Sequence, residues 1–265
     1  MSEALAPLLP LLLLSAGVVF GYMNAWFMAS LIKKRADIVD VAWGLGFVVI
    51  ALVTYLQREV FSLRALIVLG LVAIWGLRLG WHIHSRNHGK PEDFRYRQWR
   101  EEWGKNFTVR SYFQVYMLQG FLMLLVAGSI IWTQALSPAG PLTLLDYLGM
   151  GVWGIGFYFE AVGDYQLVQY KKDPANKGKI IQTGLWQYTR HPNYFGEVIL
   201  WWGIYLMALS VPYGALSILA PITISFFILK ISGIPMLEAK YVGNPEFEAY
   251  KQRTNAFWPW FPKQG

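Results

Sequence analysis

Long apolar blocks, broken by short polar or Pro/Gly-rich stretches, dominate this chain. A bilayer core takes about 20 predominantly apolar residues per helical crossing, and the blocks predict helices over residues 6–31, 38–56, 63–84, 112–136, 144–168, 195–210 and 213–231. The breaks are of two kinds. "SPAGP" (137–141) and "SVPYG" (210–214) are Pro/Gly turns, so the last two helices are expected to form a tight hairpin. The others are long and charged. Segment 84–107 places Trp99, Trp103 and Phe107 at helical spacing among basic residues, the pattern of an amphipathic helix lying at a membrane surface. The expectation is an all-α, polytopic bundle of about seven spans in one membrane-embedded domain, with residues 1–136 and 144–265 as its two halves.

Composition agrees with that solvent. The 265 residues are 55% hydrophobic and 15% charged, with a mean hydropathy of +0.34, which excludes an ordinary soluble domain. The first apolar block has Glu3 and no Lys or Arg before it, and no small-x-small site follows it, so it is expected to be retained rather than cleaved as a signal peptide. The net charge of +7 raises nucleic acid as a partner, but the basic residues flank spans and no nucleic-acid module lies between them. They act as topology signals instead. Lys33, Lys34 and Arg35 follow the first span, seven Lys or Arg fill 86–110, five fill 171–190 and four follow the last span, against Arg58 and Arg64 on the other side. The positive-inside rule then puts the N-terminus outside and the C-terminus in the cytoplasm. A multi-pass membrane protein is expected, with its large polar segments facing the cytoplasm. The chain has no cysteine, which excludes disulfides and thiolate chemistry, and its four histidines show no metal-ligand spacing, so no metal site is expected.

Ionisable side chains inside spans are costly and mark candidate sites. Arg78 and Lys230 have the positions of snorkelling side chains and Asp37 that of a helix cap. Glu160 and Asp164 lie four residues apart on one face of the fifth span, and Glu197 lies one turn into the sixth, with the most basic short loop between them. The element "GLWQYTRHPNYFGE" (184–197) sets Arg190, His191, Asn193 and Glu197 immediately before an apolar run. Pro192 suits a first helical turn, and the open N–H groups there, with Arg190 and the lysines of 171–179, attract an anion. A phosphate-bearing ligand is expected, its hydroxyls or amide oriented by the carboxylates.

Three stretches carry a family resemblance: "EAVGDYQLVQYKK" (160–172), "GLWQYTRHPNYFGEVILWWG" (184–203) and "GIPMLEAKYVGNPEFEAYKQRTNAFWPWFP" (233–262). With "DVAWGLGF" (40–47) and "LRLGWHIHSRNHGKPEDFRYRQWR" (77–100), they resemble the short bacterial branch of the steroid 5α-reductase-like superfamily. The resemblance implies an NADPH site contacted by Asp164, Lys171, Arg190, His191, Asn193, Tyr194, Glu197, Glu238, Tyr250 and Arg253, with Lys171 and Arg253 toward the phosphates. The chain departs from the animal 5α-reductases in carrying Glu160 for an expected Asn, and its Gln57 and Glu59 fall at the outer end of span two rather than within it. Both differences weigh against steroid specificity more than against hydride transfer.

The leading expectation is therefore hydride transfer from NADPH to the activated C=C bond of a lipophilic enone, sterol-like or otherwise. Such a reduction needs a donor for charge developing on the carbonyl oxygen, for which Tyr96, His82 and a protonated Asp40 are the candidates. The alternative is an S-adenosylmethionine-dependent methyltransferase acting on a lipid or prenylated substrate, because isoprenylcysteine carboxyl methyltransferases resemble the same half. A non-catalytic lipid-binding protein is the third class. The lysines of 171–179 favour a ligand with several phosphates.

Overall fold

A computed structural model describes residues 5–263, and it is wholly helical, with no strand among the described residues. Five helices are long and apolar enough to cross a membrane: Leu8–Lys33, Val39–Leu56, Leu63–Asn87, Phe94–Val126 and Gly214–Tyr241. Two more of the expected crossings fall outside that set. One helix, Leu144–Lys172, has the length but carries Asp146, Glu160 and Asp164, and the other, Pro192–Ala208, has 17 residues.

The chain divides into two compact units. The first comprises Met1–Thr143 and Met207–Ala220. It contains α1 (Leu8–Lys33), α2 (Val39–Leu56) and α3 (Leu63–Asn87), followed by α4 (Phe94–Trp103), α5 (Phe107–Ser111), α6 (Leu118–Val126) and α7 (Gly128–Leu136). α2 and α3 cross in backbone contact. A β carbon on Gly44 would stand 2.8 Å from Gly76 O, so only hydrogen fits, and the Phe47 and Trp75 rings meet edge to face at 5.6 Å beside the crossing. Without water between helices to drive association, close backbone approach of this kind supplies the packing energy.

Segment 84–107 differs from the expected separate surface helix. α4 is capped by Asp93, whose carboxylate accepts from Arg95 N at 3.0 Å, and the chain stays helical to Val126 with a bend at Gly104, where φ is 49°. A π-helical stretch over Tyr112–Met117 joins α5 to α6. The fourth expected span is also interrupted, because Ala127 has ψ −6° and starts α7 afresh.

The second unit comprises Leu144–Leu206 and Pro221–Gly265. It contains α8 (Leu144–Lys172) and most of α9 (Pro192–Ala208) and α10 (Leu219–Phe226), then α11 (Ile234–Glu238) and α12 (Pro245–Arg253). α9 begins at the expected proline. Trp202 Nε1 donates to Ser225 Oγ at 3.1 Å across the expected α9–α10 hairpin. Glycines bring α8 and α9 together: a β carbon on Gly156 would lie 2.6 Å from Gly196 O, and one on Gly203 would lie 2.6 Å from Trp153 N. Gly149, Gly156 and Gly163 recur every seventh residue on α8, as do Gly196 and Gly203 on α9, so each set lines one face. That contact sets the acids of α8 beside the first turns of α9.

Candidate functional site

In the second unit, Gly196 packs against Glu160, where an added β carbon would come within 2.7 Å of Glu160 Cβ. One turn on, Gly163 faces Pro192 and the backbone nitrogen of Asn193. The expected acidic pair thereby meets the RHPN element. Asn193 Nδ2 donates to Asp164 Oδ1 at 3.1 Å, and both Glu160 and Asp164 are buried. Glu197 follows Asn193 by one turn and is half-buried. Tyr194 stacks on the His191 ring, with centroids 5.6 Å apart.

A second cluster forms around Glu238, at the end of α11. Arg190 Nε donates to Glu238 Oε1 at 2.9 Å, with Nη2 2.8 Å away, and His191 Nε2 lies 2.9 Å from the same oxygen. Since a carboxylate only accepts, the neutral imidazole donates from Nε2. Burial holds His191 below the ordinary histidine range, and the adjacent Arg190 charge adds to that, outweighing the opposing pull of Glu238. The ring is thus neutral at pH 7. Arg190 also donates through Nη1 to the carbonyl of Thr254 and, at 3.4 Å, to that of Lys251.

This geometry corrects the expectation that Arg190 supplies mobile positive charge: it is 8% exposed and held by Glu238 and two carbonyls. The helix end likewise offers an anion less than the sequence implied. Asn193 Oδ1 takes the Tyr194 N–H at 3.0 Å, Thr189 Oγ1 takes that of His191 at 3.3 Å, and Pro192 has none. Further cations lie elsewhere in the unit. Lys171, Lys172, Lys177 and Lys179 line a surface depression of about 470 Å³ with Asp173, Asn176 and Tyr241, a volume within the roughly 300–1,000 Å³ of small-molecule sites. Arg253 is exposed and donates to Gln182 Oε1 at 2.9 Å, and buried Tyr250 donates to the Trp186 carbonyl.

Several residues that position this site were not singled out in the sequence. Gln166 Oε1 accepts from Leu185 N at 2.9 Å, and Trp186 Nε1 donates to Gly163 O at 3.2 Å, so α8 holds the loop on both sides. The loop is closed by the C-terminal segment: Arg190 N donates to Asn255 O at 2.9 Å and Thr189 Oγ1 to Phe257 O at 2.9 Å. The seven-residue glycine spacing was a readable signal for the α8–α9 contact. No local pattern marks the loop's partners.

The three candidates for proton donation lie in the first unit. Tyr96 Oη donates to Asp40 Oδ1 at 2.6 Å, and Arg95 Nη2 bonds the other Asp40 oxygen at 2.7 Å. His82 is half-buried in the last turns of α3. Asp37 is no helix cap. It is 1% exposed, pairs with Arg35 at 2.8 Å and accepts from Asp93 N at 3.0 Å, tying the start of α2 to that of α4. Among the described residues no group of three metal-binding side chains occurs.

No solved structure matches the chain. Over 83 residues it is 37% identical to a protein of Ustilaginoidea virens named "Probable O-methyltransferase ustE", an overlap covering 30% of this chain and 29% of that protein. The chain therefore spans less than a third of that relative's length. A family model matches residues 26–254, nearly the whole chain, and by that match the protein belongs to the family described as "Protein of unknown function (DUF1295)".

Proposed function

We propose that this protein is a membrane-embedded NADPH-dependent reductase acting on an activated C=C bond of a lipophilic, enone-like substrate. The observation that carries this reading is the lysine-lined depression at the end of α8, in the same unit as the buried Glu160 and Asp164 and the half-buried Asn193. Four lysines around one depression suit a ligand with several phosphates, whereas they repel a sulfonium. With Arg190 committed to Glu238, Lys177 and Lys179 are the side chains that would hold phosphate oxygens, and Lys171 lines the same depression. Asp164 and Asn193 would accept from and donate to a ribose or carboxamide. The bound nicotinamide would supply the hydride, and the chain would supply orientation and a proton. Tyr96 is our candidate proton donor, because a phenol donates while remaining neutral; its hydroxyl donates to Asp40 at 2.6 Å in the structure. We place the N-terminus outside and the lysine loop in the cytoplasm on the charge asymmetry of the loops, and the chain in a bacterial inner membrane on its resemblance to the bacterial branch.

A methyltransferase is the second reading, and what favours it is the name of the Ustilaginoidea virens relative. Titration calorimetry of the purified protein against NADPH and S-adenosylmethionine separates the two. NADPH binding that weakens about tenfold in Lys177→Glu and again in Lys179→Glu is expected, each step worth about 1.4 kcal/mol. Selective binding of S-adenosylmethionine, indifferent to those charges, would overturn the reductase reading.

A further inference from the structure

We propose that segment 254–263 is a strap that docks into the lipid headgroup layer through Trp258, Trp260 and Phe261. The segment has no helix or strand, yet one side is pinned. Its backbone meets the Tyr188–Arg190 turn through Trp260 N to Tyr188 O and Arg190 N to Asn255 O, both 2.9 Å, and Phe257 packs on Phe195 at 5.5 Å. The other side is bare. Trp258, Trp260 and Phe261 are 63%, 69% and 73% exposed, an aromatic patch on a segment that its own hydrogen bonds hold in place.

Two features say what covers it. The first is depth: the Phe195 ring also meets Trp258, at 5.7 Å, and Phe195 stands in the first turn of α9, ahead of an apolar run that continues to Ala208. We read α9 as a membrane helix on that apolar run, which puts the strap where the helix enters the hydrocarbon. The second is chemistry. Tryptophan combines an apolar ring with an N–H donor and concentrates at membrane interfaces. Pro259 and Pro262 remove two N–H groups that such a layer would otherwise have to satisfy. Exposed Lys251, Arg253 and Lys263 border the patch and supply the cations that lipid phosphates attract. A protein partner explains the aromatic surface but not its level at the start of a membrane helix. Because the strap bonds Thr189 and Arg190, docking also holds the His191 turn at headgroup depth, whichever ligand the site takes.

The absence of cysteine permits a direct test. Trp258→Cys, Trp260→Cys and Phe261→Cys, made singly, carry a nitroxide label in phosphatidylcholine vesicles with and without phosphatidylglycerol, with Lys177→Cys as the water-facing reference. The expected result is a several-fold lower collision rate with a water-soluble nickel relaxant than at residue 177, with raised oxygen accessibility. Anionic lipid should deepen the effect. Accessibility equal to that at residue 177 would overturn the proposal. So would protection accompanied by dipolar broadening between labels, which would assign the patch to a second copy of the chain. All three positions are exposed, and each variant's thermal melt shows whether it has folded.

Discussion

The residue that most constrains the candidate site is Glu238, whose one oxygen takes both Arg190 and His191. Removing its charge strands a guanidinium that is 8% exposed. Glu238→Gln should destabilise the protein by about 3 kcal/mol, the scale for breaking a buried ion pair, read as a lowered thermal midpoint in detergent. His191 adds a pH dependence of definite sign. Its folded pKa lies below the unfolded value of 6.5, so the unfolded chain binds the proton more readily. The stability it contributes is complete above that value and is lost as pH falls below it. His191→Gln should flatten the thermal midpoint between pH 7 and pH 5 relative to the parent, and an unchanged slope would show that the ring titrates as an ordinary histidine. Tyr96→Phe removes the hydroxyl that meets Asp40 at 2.6 Å. It should slow single-turnover reduction in stopped flow if Tyr96 gives the proton, while leaving NADPH affinity unchanged.

Between elements, the α8–α9 crossing depends on the absence of side chains. A β carbon at Gly156 or Gly203 would stand 2.6 Å from, or closer to, the backbone of the facing helix, whereas Gly154, two residues from Gly156, has nothing within 4 Å. Gly156→Ala and Gly203→Ala should each cost about 1–3 kcal/mol through forced backbone shifts. Gly154→Ala should be neutral or gain up to about 1 kcal/mol from helix propensity. Thermal melts of the three variants check this, and equal midpoints would show that the crossing is not close-packed. The expected separate amphipathic helix over 84–107 was legible only in part. Its aromatic spacing is real, and Trp99 stacks on Trp103 at 5.5 Å. Its continuation into α6 was hidden because polar and charged residues separate Trp103 from the apolar run that starts at Tyr112.

At the level of the whole molecule, the charge asymmetry yields a topology that fusions can check. A fluorescent protein placed after Gly265 should fluoresce, since it folds in the cytoplasm, and an alkaline phosphatase placed there should be inactive. Active phosphatase would invert the proposed orientation and carry the lysine loop away from cytoplasmic nucleotides. The sequence by itself determined the all-helical, membrane-suited character and the charged loops, because hydrophobic run length and flanking charge act through the local chain and its solvent. It also marked Pro192 as a helix start. Only the tertiary structure decided how the charges are spent. Arg190 and Glu238 are 48 residues apart, and Arg190 and Thr254 are 64. Such pairings leave no local pattern, because they exist only once the glycine-lined helices and the C-terminal strap have brought distant backbone together. For that reason Arg190 read as a free cation in the sequence and is a neutralised one in the fold.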